Sequence, residues 1–313
     1  MNRSERGLQT GHQLTLGALS DKGRVRKNNE DAYAALVPPN TPNGVGGILA
    51  VADGMGGHSA GERASHAAID GVMRLLGKGP SSSGLENGRT KQVHDVLISV
   101  NQEVFAAAQT PETRGMGTTL SVALVEGNTV FVGHIGDSRI YLQRGGTLTQ
   151  LTPDHSWVAE EVARGNITQQ DAATHPRRNL LTRAVGIGNT VEPATLSYPL
   201  EAGDLLLLCS DGLHGLVSNA AISGVLSDYE PAHAAKEFIR LANSAGGTDN
   251  VTAVVAGVLS IEPPSDSLWQ GGSNATVSSS IARTKGSTAL GIRVVRRLPS
   301  SIFRAIGRLI KPS

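Results

Sequence analysis

The sequence predicts an α+β fold with packed antiparallel sheets. Three observations carry that expectation. Helical stretches are expected over 62–76, 93–108 and 230–245, and the first two carry apolar stripes. The stretch 118–152 is β-rich, with turn signals at Glu126-Gly127-Asn128 and at Gly145-Gly146. The short apolar runs ILAVA at 48–52 and LLLLC at 205–209 lead into Asp-Gly steps. Strands and helices thus fall in blocks with hairpins between them.

Taken in order, residues 1–12 are expected to be disordered, and Leu14 to Leu16 to start a strand. The segment from Ser20 to Tyr33, SDKGRVRKNNEDAY, is dense in charge. It reads either as a solvated turn or as a rim where an arginine fork meets an oxyanion such as phosphate. A Pro/Asn/Gly loop over 38–47 precedes the 48–52 strand. On the first helix Ala64, Ala68, Val72, Leu75 and Leu76 share a face; on the second, Val93, Val96, Leu97, Val100, Val104 and Ala108 do. A Gly/Ser linker is expected between them, over 77–89. The 118–152 stretch reads as one antiparallel meander. Residues 154–186 are more polar and helical, and read as a flap inserted beside the sheet.

No apolar run approaches the roughly 20 residues of a membrane helix, and the N-terminus MNRSERGLQT has no apolar signal core. The one cysteine, Cys209, sits inside an apolar run and reads as a buried structural thiol. A cytoplasmic location is expected. Residues 262–313 hold eight Lys/Arg and two Asp/Glu, a balance of +6, leaving 20 basic and 25 acidic residues, or −5, on the rest.

The chemistry gathers at strand ends. Asp53 closes the 48–52 run and is followed by Gly54, Met55, Gly56 and Gly57. Asp211 follows LLLLCS, Asp137 follows VGHIG, and Asp249 precedes the apolar run that starts at Val251. Alone, each is an ordinary Asp turn. Four carboxylates in such places, with few His or Cys nearby, point to a hard-cation site built from oxygen.

NNEDAY, VADGMGGHSAGE, GMGTT, HIGDSR, CSDGL and GGTDNVT stand in this order along the chain. In order and spacing they resemble the metal-dependent serine/threonine protein phosphatases, the type-2C or PPM family. VRKNNEDA, DGMGG and HPRRNLLTRAVG are similar to the bacterial branch. The resemblance covers about 13–260 and implies a catalytic domain of two antiparallel sheets flanked by helix pairs. It implies that Asp53 bridges two metals, that the Gly54 carbonyl binds the second, and that Asp211 and Asp249 bind the first. It implies Glu30 acting through water, Asp137 at a third site, and Arg26 receiving the substrate phosphate. The implied cofactors are two Mn²⁺ or Mg²⁺ ions, with a third at Asp137. The implied reaction is hydrolysis of phosphoserine and phosphothreonine in proteins by a metal-bridged hydroxide. The implied opponent is a serine/threonine kinase, itself a candidate substrate. A monomer with no nucleic-acid partner is expected.

One departure concerns the proton donor. Eukaryotic relatives carry a histidine where this chain has Met55, and a thioether donates no proton. His58 reads first as a packing or helix-capping residue, which leaves metal-bound water as the other donor. Thr118, Thr119, His134 and His214 read as hydrogen-bonded structural residues. Ser138 and Arg139 are expected to order the loop of Asp137, and Arg177 and Arg178 to face water. A linker rich in Ser, Gly and Thr is expected over 261–291, and a basic amphipathic helix over 292–313. That helix reads as docking on the acidic body, on an anionic membrane surface or on a partner protein, or as a marginal helix in a disordered tail. Two other functions compete: a phosphatase dedicated to one regulatory partner, and a phosphatase-like binding module without activity. The intact Asp53, Asp211 and Asp249 argue against the second.

Overall fold

Side chains alternate faces along a strand, and here the alternation sorts apolar residues into three separate layers. The computed structural model describes residues 13–42, 44–56, 60–77 and 86–259. The N-terminus over 1–12, His58, the 261–291 linker and the 292–313 tail lie outside them. The described strands are β1 (Gln13–Asp21), β2 (Asp31–Leu36), β3 (Val45–Met55), β4 (Gly117–Thr118), β5 (Leu120–Glu126), β6 (Thr129–Ile135), β7 (Arg139–Arg144), β8 (Thr147–Gln150), β9 (Ala194–Pro199), β10 (Leu205–Cys209) and β11 (Val251–Leu259). The helices are α1 (Ala60–Leu76), α2 (Glu86–Ala107), α3 (Trp157–Ala163), α4 (Gln169–Thr174), α5 (Asp211–His214), α6 (Asn219–Asp228) and α7 (Pro231–Ser244).

One sheet has the order β1-β11-β10-β7-β8, the other β2-β3-β5-β6-β9 with β4 appended to β3. Every pairing is antiparallel. In β3, Ile48, Ala50 and Ala52 pack beneath α1 and α2, while Leu49 and Val51 face the other sheet. In β10, Leu207 and Cys209 pack beneath α5, α6 and α7, while Leu206 and Leu208 face inward. The result is four layers, helix–sheet–sheet–helix, which agrees with the expected fold class. Aliphatic Leu, Ile, Val and Ala fill most of the inter-sheet layer, as a chain with 3% aromatics requires.

Two expectations need correction, and two elements were not foreseen. The 118–152 stretch is not one meander. Its β5-β6 hairpin belongs to one sheet and its β7-β8 hairpin to the other. The chain changes sheets at Gly136–Ser138, where Gly136 has φ +107° and a Cβ would meet Thr119 Cβ at 2.7 Å. The linker expected over 77–89 runs too far, because α2 starts at Glu86. There Arg89 is buried, with its guanidinium on Glu126 and Gln92. The sequence reading also missed α6, which packs Ile222, Val225 and Leu226 under the β10 sheet. It missed β9 as well, an edge strand of half-buried residues whose pattern is weak.

Candidate metal centre and active site

The site grows from the inter-sheet face of β3. Counting on from Leu49 and Val51, the next residue on that face is Asp53. Across the β2–β3 ladder its partner in register is Asp31. Two carboxylates thus stand side by side at the end of an aliphatic layer. Asp211 begins α5 directly after β10, Asp249 precedes β11, and Asp137 sits in the turn between β6 and β7. Strand ends, sheet change and helix start converge on one edge of the sandwich.

Backbone contacts leave little slack there. A Cβ on Gly54 would lie 2.1 Å from Gly61 O and 2.6 Å from Glu30 O, so α1 touches β3 directly. A Cβ on Gly61 would lie 2.0 Å from Glu30 Oε2, which places that carboxylate against the start of α1. The Gly54 N–H donates to Glu30 O (3.1 Å), and Ser65 Oγ donates to the same carbonyl (2.6 Å). Thr119 accepts the Asp53 N–H on Oγ1 (2.9 Å), and Thr118 Oγ1 donates to Asp53 O (2.9 Å). The two threonines therefore clamp the Asp53 backbone, a closer part in the site than the structural role expected of them.

Asp31 is 4% exposed. Its Oδ2 accepts from Ser210 Oγ (2.8 Å) and Thr252 Oγ1 (2.7 Å), and its Oδ1 is buried with no partner. Asp211 Oδ1 is likewise buried and unpaired. Burial, and then the charges of Asp211 and Asp249, push Asp31 up to about 7. Asp137 is pushed up to about 7 by burial and by Asp211 and Asp154. Asp53 is raised well above the usual carboxylate range by burial and by Asp31, Asp211, Asp137 and Asp249. Asp211 is raised by burial and Asp249, against a hydrogen bond from Asp53.

The cationic partner present is Arg26, whose Nη2 donates to Asp249 Oδ2 at 2.6 Å. The other Asp249 oxygen accepts the Asn250 N–H (2.8 Å). Asn250 is buried and ties the arginine loop to the centre. Its Oδ1 accepts the Glu30 N–H (2.8 Å), and its Nδ2 donates to Lys22 O (3.1 Å) and Asn28 O (2.8 Å). All seven residues expected at the site therefore lie at this edge. Sequence reasoning missed Asp31, Ser210, Asn250 and Thr252, and gave Thr118 and Thr119 only a structural role. Asp31 is part of NNEDAY and Asn250 of GGTDNVT, so both stood inside quoted motifs.

The donor set suits a hard divalent cation. It offers carboxylate and carbonyl oxygens, unpaired Oδ1 atoms on Asp31 and Asp211, and an excess of negative charge that burial makes costly. Cys209 is buried in the apolar layer under the helices. Among the described residues no three acidic, histidine or cysteine side chains stand grouped as ready metal ligands. Oxygen donors of this kind are the type that Mg²⁺ and Mn²⁺ take, with water completing the shell.

The motifs and the four layers can now be set against known proteins. The family description "Protein phosphatase 2C" matches residues 23–257. The chain belongs to the protein phosphatase 2C family. A curated relative, the serine/threonine protein phosphatase PstP of Mycobacterium tuberculosis, is 42% identical over 248 residues. That match covers 79% of this chain and 45% of the relative, so this protein phosphatase 2C chain matches under half of PstP's length. The serine/threonine phosphatase stp of Listeria welshimeri is 39% identical over 245 residues, 75% of this chain and 92% of its own. A solved catalytic domain of PstP, in complex with two manganese ions, superposes with a TM-score of 0.69 at 40% identity, covering 79% of this chain and 99% of that one. The protein phosphatase 2C family is metal-dependent, and its relatives here are named for phosphoprotein substrates.

Proposed function

We propose that this chain is a serine/threonine protein phosphatase that hydrolyses phosphoserine and phosphothreonine with two Mn²⁺ or Mg²⁺ ions and a third at Asp137. The observation that carries the reading is the buried carboxylate cluster with its unpaired Asp31 and Asp211 oxygens, which is costly without cations. Asp53, Asp211 and Asp249 would hold one ion, and Asp53, the Gly54 carbonyl and, through water, Glu30 would hold the other. When bound, the ions neutralise phosphoryl charge and lower the pKa of nearby water. Arg26, half exposed at the rim, presents a planar fork to the substrate phosphate. Thr118 and Thr119 fix the Asp53 backbone, and Ser210 and Thr252 orient Asp31. No cysteine nucleophile is needed.

We assign 13–260 to the catalytic domain, with 154–186 as its flap. The implied opponent is a serine/threonine kinase, and the implied state is a cytoplasmic monomer. No helix among the described residues is long and apolar enough to cross a membrane.

The test is phosphate release from a phosphothreonine peptide in EDTA, Mg²⁺ and Mn²⁺, for wild type and Asp249→Asn. Activity is expected only with Mn²⁺ or Mg²⁺ and is expected to vanish in the variant. Undiminished activity of Asp249→Asn would sink the ligand assignment. No activity with either metal would favour a binding module.

A further inference from the structure

Three histidines close around the turn that carries Asp137, and the metal chemistry above uses none of them. Gly136 and Asp137 lie where the chain crosses between sheets, among His134 (0% exposed), Ser138 (0%) and His155 (4%). Backbone polar groups in such a place need partners. The Gly136 N–H donates to His155 Nδ1 (3.1 Å), and the His155 N–H donates back to Gly136 O (2.8 Å). His134 Nε2 donates to the same carbonyl (2.9 Å), and His214 Nε2 donates to Asp137 O (3.0 Å). Ser121 Oγ, 2.9 Å from His134 Nδ1, supplies the proton that nitrogen accepts.

These bonds fix the tautomers. A backbone N–H can only donate, so His155 Nδ1 bears no proton and the ring carries its hydrogen on Nε2. Arg183 Nη1 lies 3.2 Å from His155 Nε2, so donors approach the ring from both sides. A neutral imidazole accepts one of them. The backbone N–H cannot turn away, whereas Arg183 also reaches Glu192 O (3.4 Å). Burial holds His134 and His155 neutral, at about 4 and about 3. The turn needs this support, because Asp137 faces the like charges of Asp211 and Asp154.

We propose that His155 is a positioning residue for Asp137. Its unprotonated Nδ1 and its backbone N–H pin Gly136 from both sides, with His134 and His214 completing the clamp, and so pre-form the third cation site. The inference rests on the reading that Asp137 holds a cation. His155 is the second residue of the 154–186 segment, whose return end bonds it through Thr182 N–H to His155 O (2.9 Å). The root of that segment and the carboxylate thus share one hydrogen-bonded pair.

The experiment is a Mn²⁺ titration of the full chain by calorimetry, resolving tight and weak phases, with thermal unfolding of each variant. Asp137→Ala is expected to remove the weak phase. His155→Gln, which moves the acceptor off the Nδ1 position, is expected to weaken that phase about 10–100-fold, the usual effect of losing a ligand's supporting partner. His155→Asn, which keeps an acceptor at that position, is expected to restore it. Loss in Asp137→Ala with wild-type binding in His155→Gln would overturn the positioning role alone. Retention in Asp137→Ala would overturn the third-site reading and this inference with it. If His155→Gln does not unfold cooperatively, ¹⁵N spectra of the wild type decide. An unprotonated Nδ1 coupled to the Gly136 amide is expected, and a protonated Nδ1 would overturn the proposal.

Discussion

The centre and the edge of the inter-sheet layer are built by the same rule and do opposite things. Leu49, Val51 and Asp53 occupy one face of one strand, at two-residue intervals. At the centre that face meets Ala123, Val132, Leu208 and Val254 and is dry and aliphatic. At the edge it meets Asp31, Asp211, Asp137 and Asp249, and burial is costly. The centre contributes stability in the absence of any ligand. The edge withdraws some of it, and cation binding there would return it. Alternation decides only which way a side chain points; its consequence depends on what the other sheet brings to the same place.

Substitutions at the two ends of this face should therefore separate chemistry from stability. Asp53→Asn is expected to lower phosphatase activity by more than about a hundredfold, since loss of a ligand's mere supporting partner already costs 10–100-fold. Its melting temperature in EDTA should equal or exceed that of wild type, because the cost of burying that carboxyl group among others is gone. A lower melting temperature would break the comparison. Leu49→Ala is expected to cost about 2–5 kcal/mol in denaturant unfolding. Its turnover per folded molecule should stay near wild type. Thr119→Val lies where the two regions meet and strands the Asp53 N–H. A cost of about 1–3 kcal/mol is expected, together with reduced activity; unchanged activity would show that the clamp on Asp53 has no catalytic part.

The smallest effect is in pH. Asp31 and Asp137, raised to about 7 from 3.8, keep protons in the fold that the unfolded chain has already released. The stability they contribute is full below pH 3.8 and is lost as pH rises through 7. His134, His155 and His214, pushed down from 6.5 to about 4, 3 and 4, act in the opposite sense, and in the unfolded chain they are still half protonated at pH 6.5. In EDTA the two effects therefore oppose each other from about pH 6.5 to 8, and a net fall of no more than about 1 kcal/mol is expected. Asp31→Asn should flatten the fall, and Mn²⁺ should offset it by mass action. A rise over that window would contradict the raised carboxylates.

Much of this was legible in the chain. Asp53, Asp211 and Asp249 each abut an apolar strand run, and the stripes of α1 and α2 have clear helical spacing. Other parts depend on partners that local pattern cannot show. One oxygen of Asp31 is held by Ser210 and Thr252, 179 and 221 residues away. Nothing near Arg89 announces Glu126, so a polar stretch read as linker is the start of a helix. The change of sheet at Gly136 turns on a single backbone angle, and a run of alternating residues looks the same on either side of it.

The order of strands also bears on synthesis. β11 is among the last described elements in the chain, yet it lies between β1 and β10, flanked on both sides. Asp249 and Asn250 precede it, and Thr252, which orients Asp31, lies within it. A nascent chain that has not yet released β11 lacks Asp249, the loop tie made by Asn250 and one wall of the carboxylate pocket. Since β1 must wait for a partner over 200 residues downstream, the catalytic edge closes only when translation of this domain is nearly complete. Partial chains on the ribosome are therefore expected to lack the assembled carboxylate pocket until β11, the last described strand, has docked.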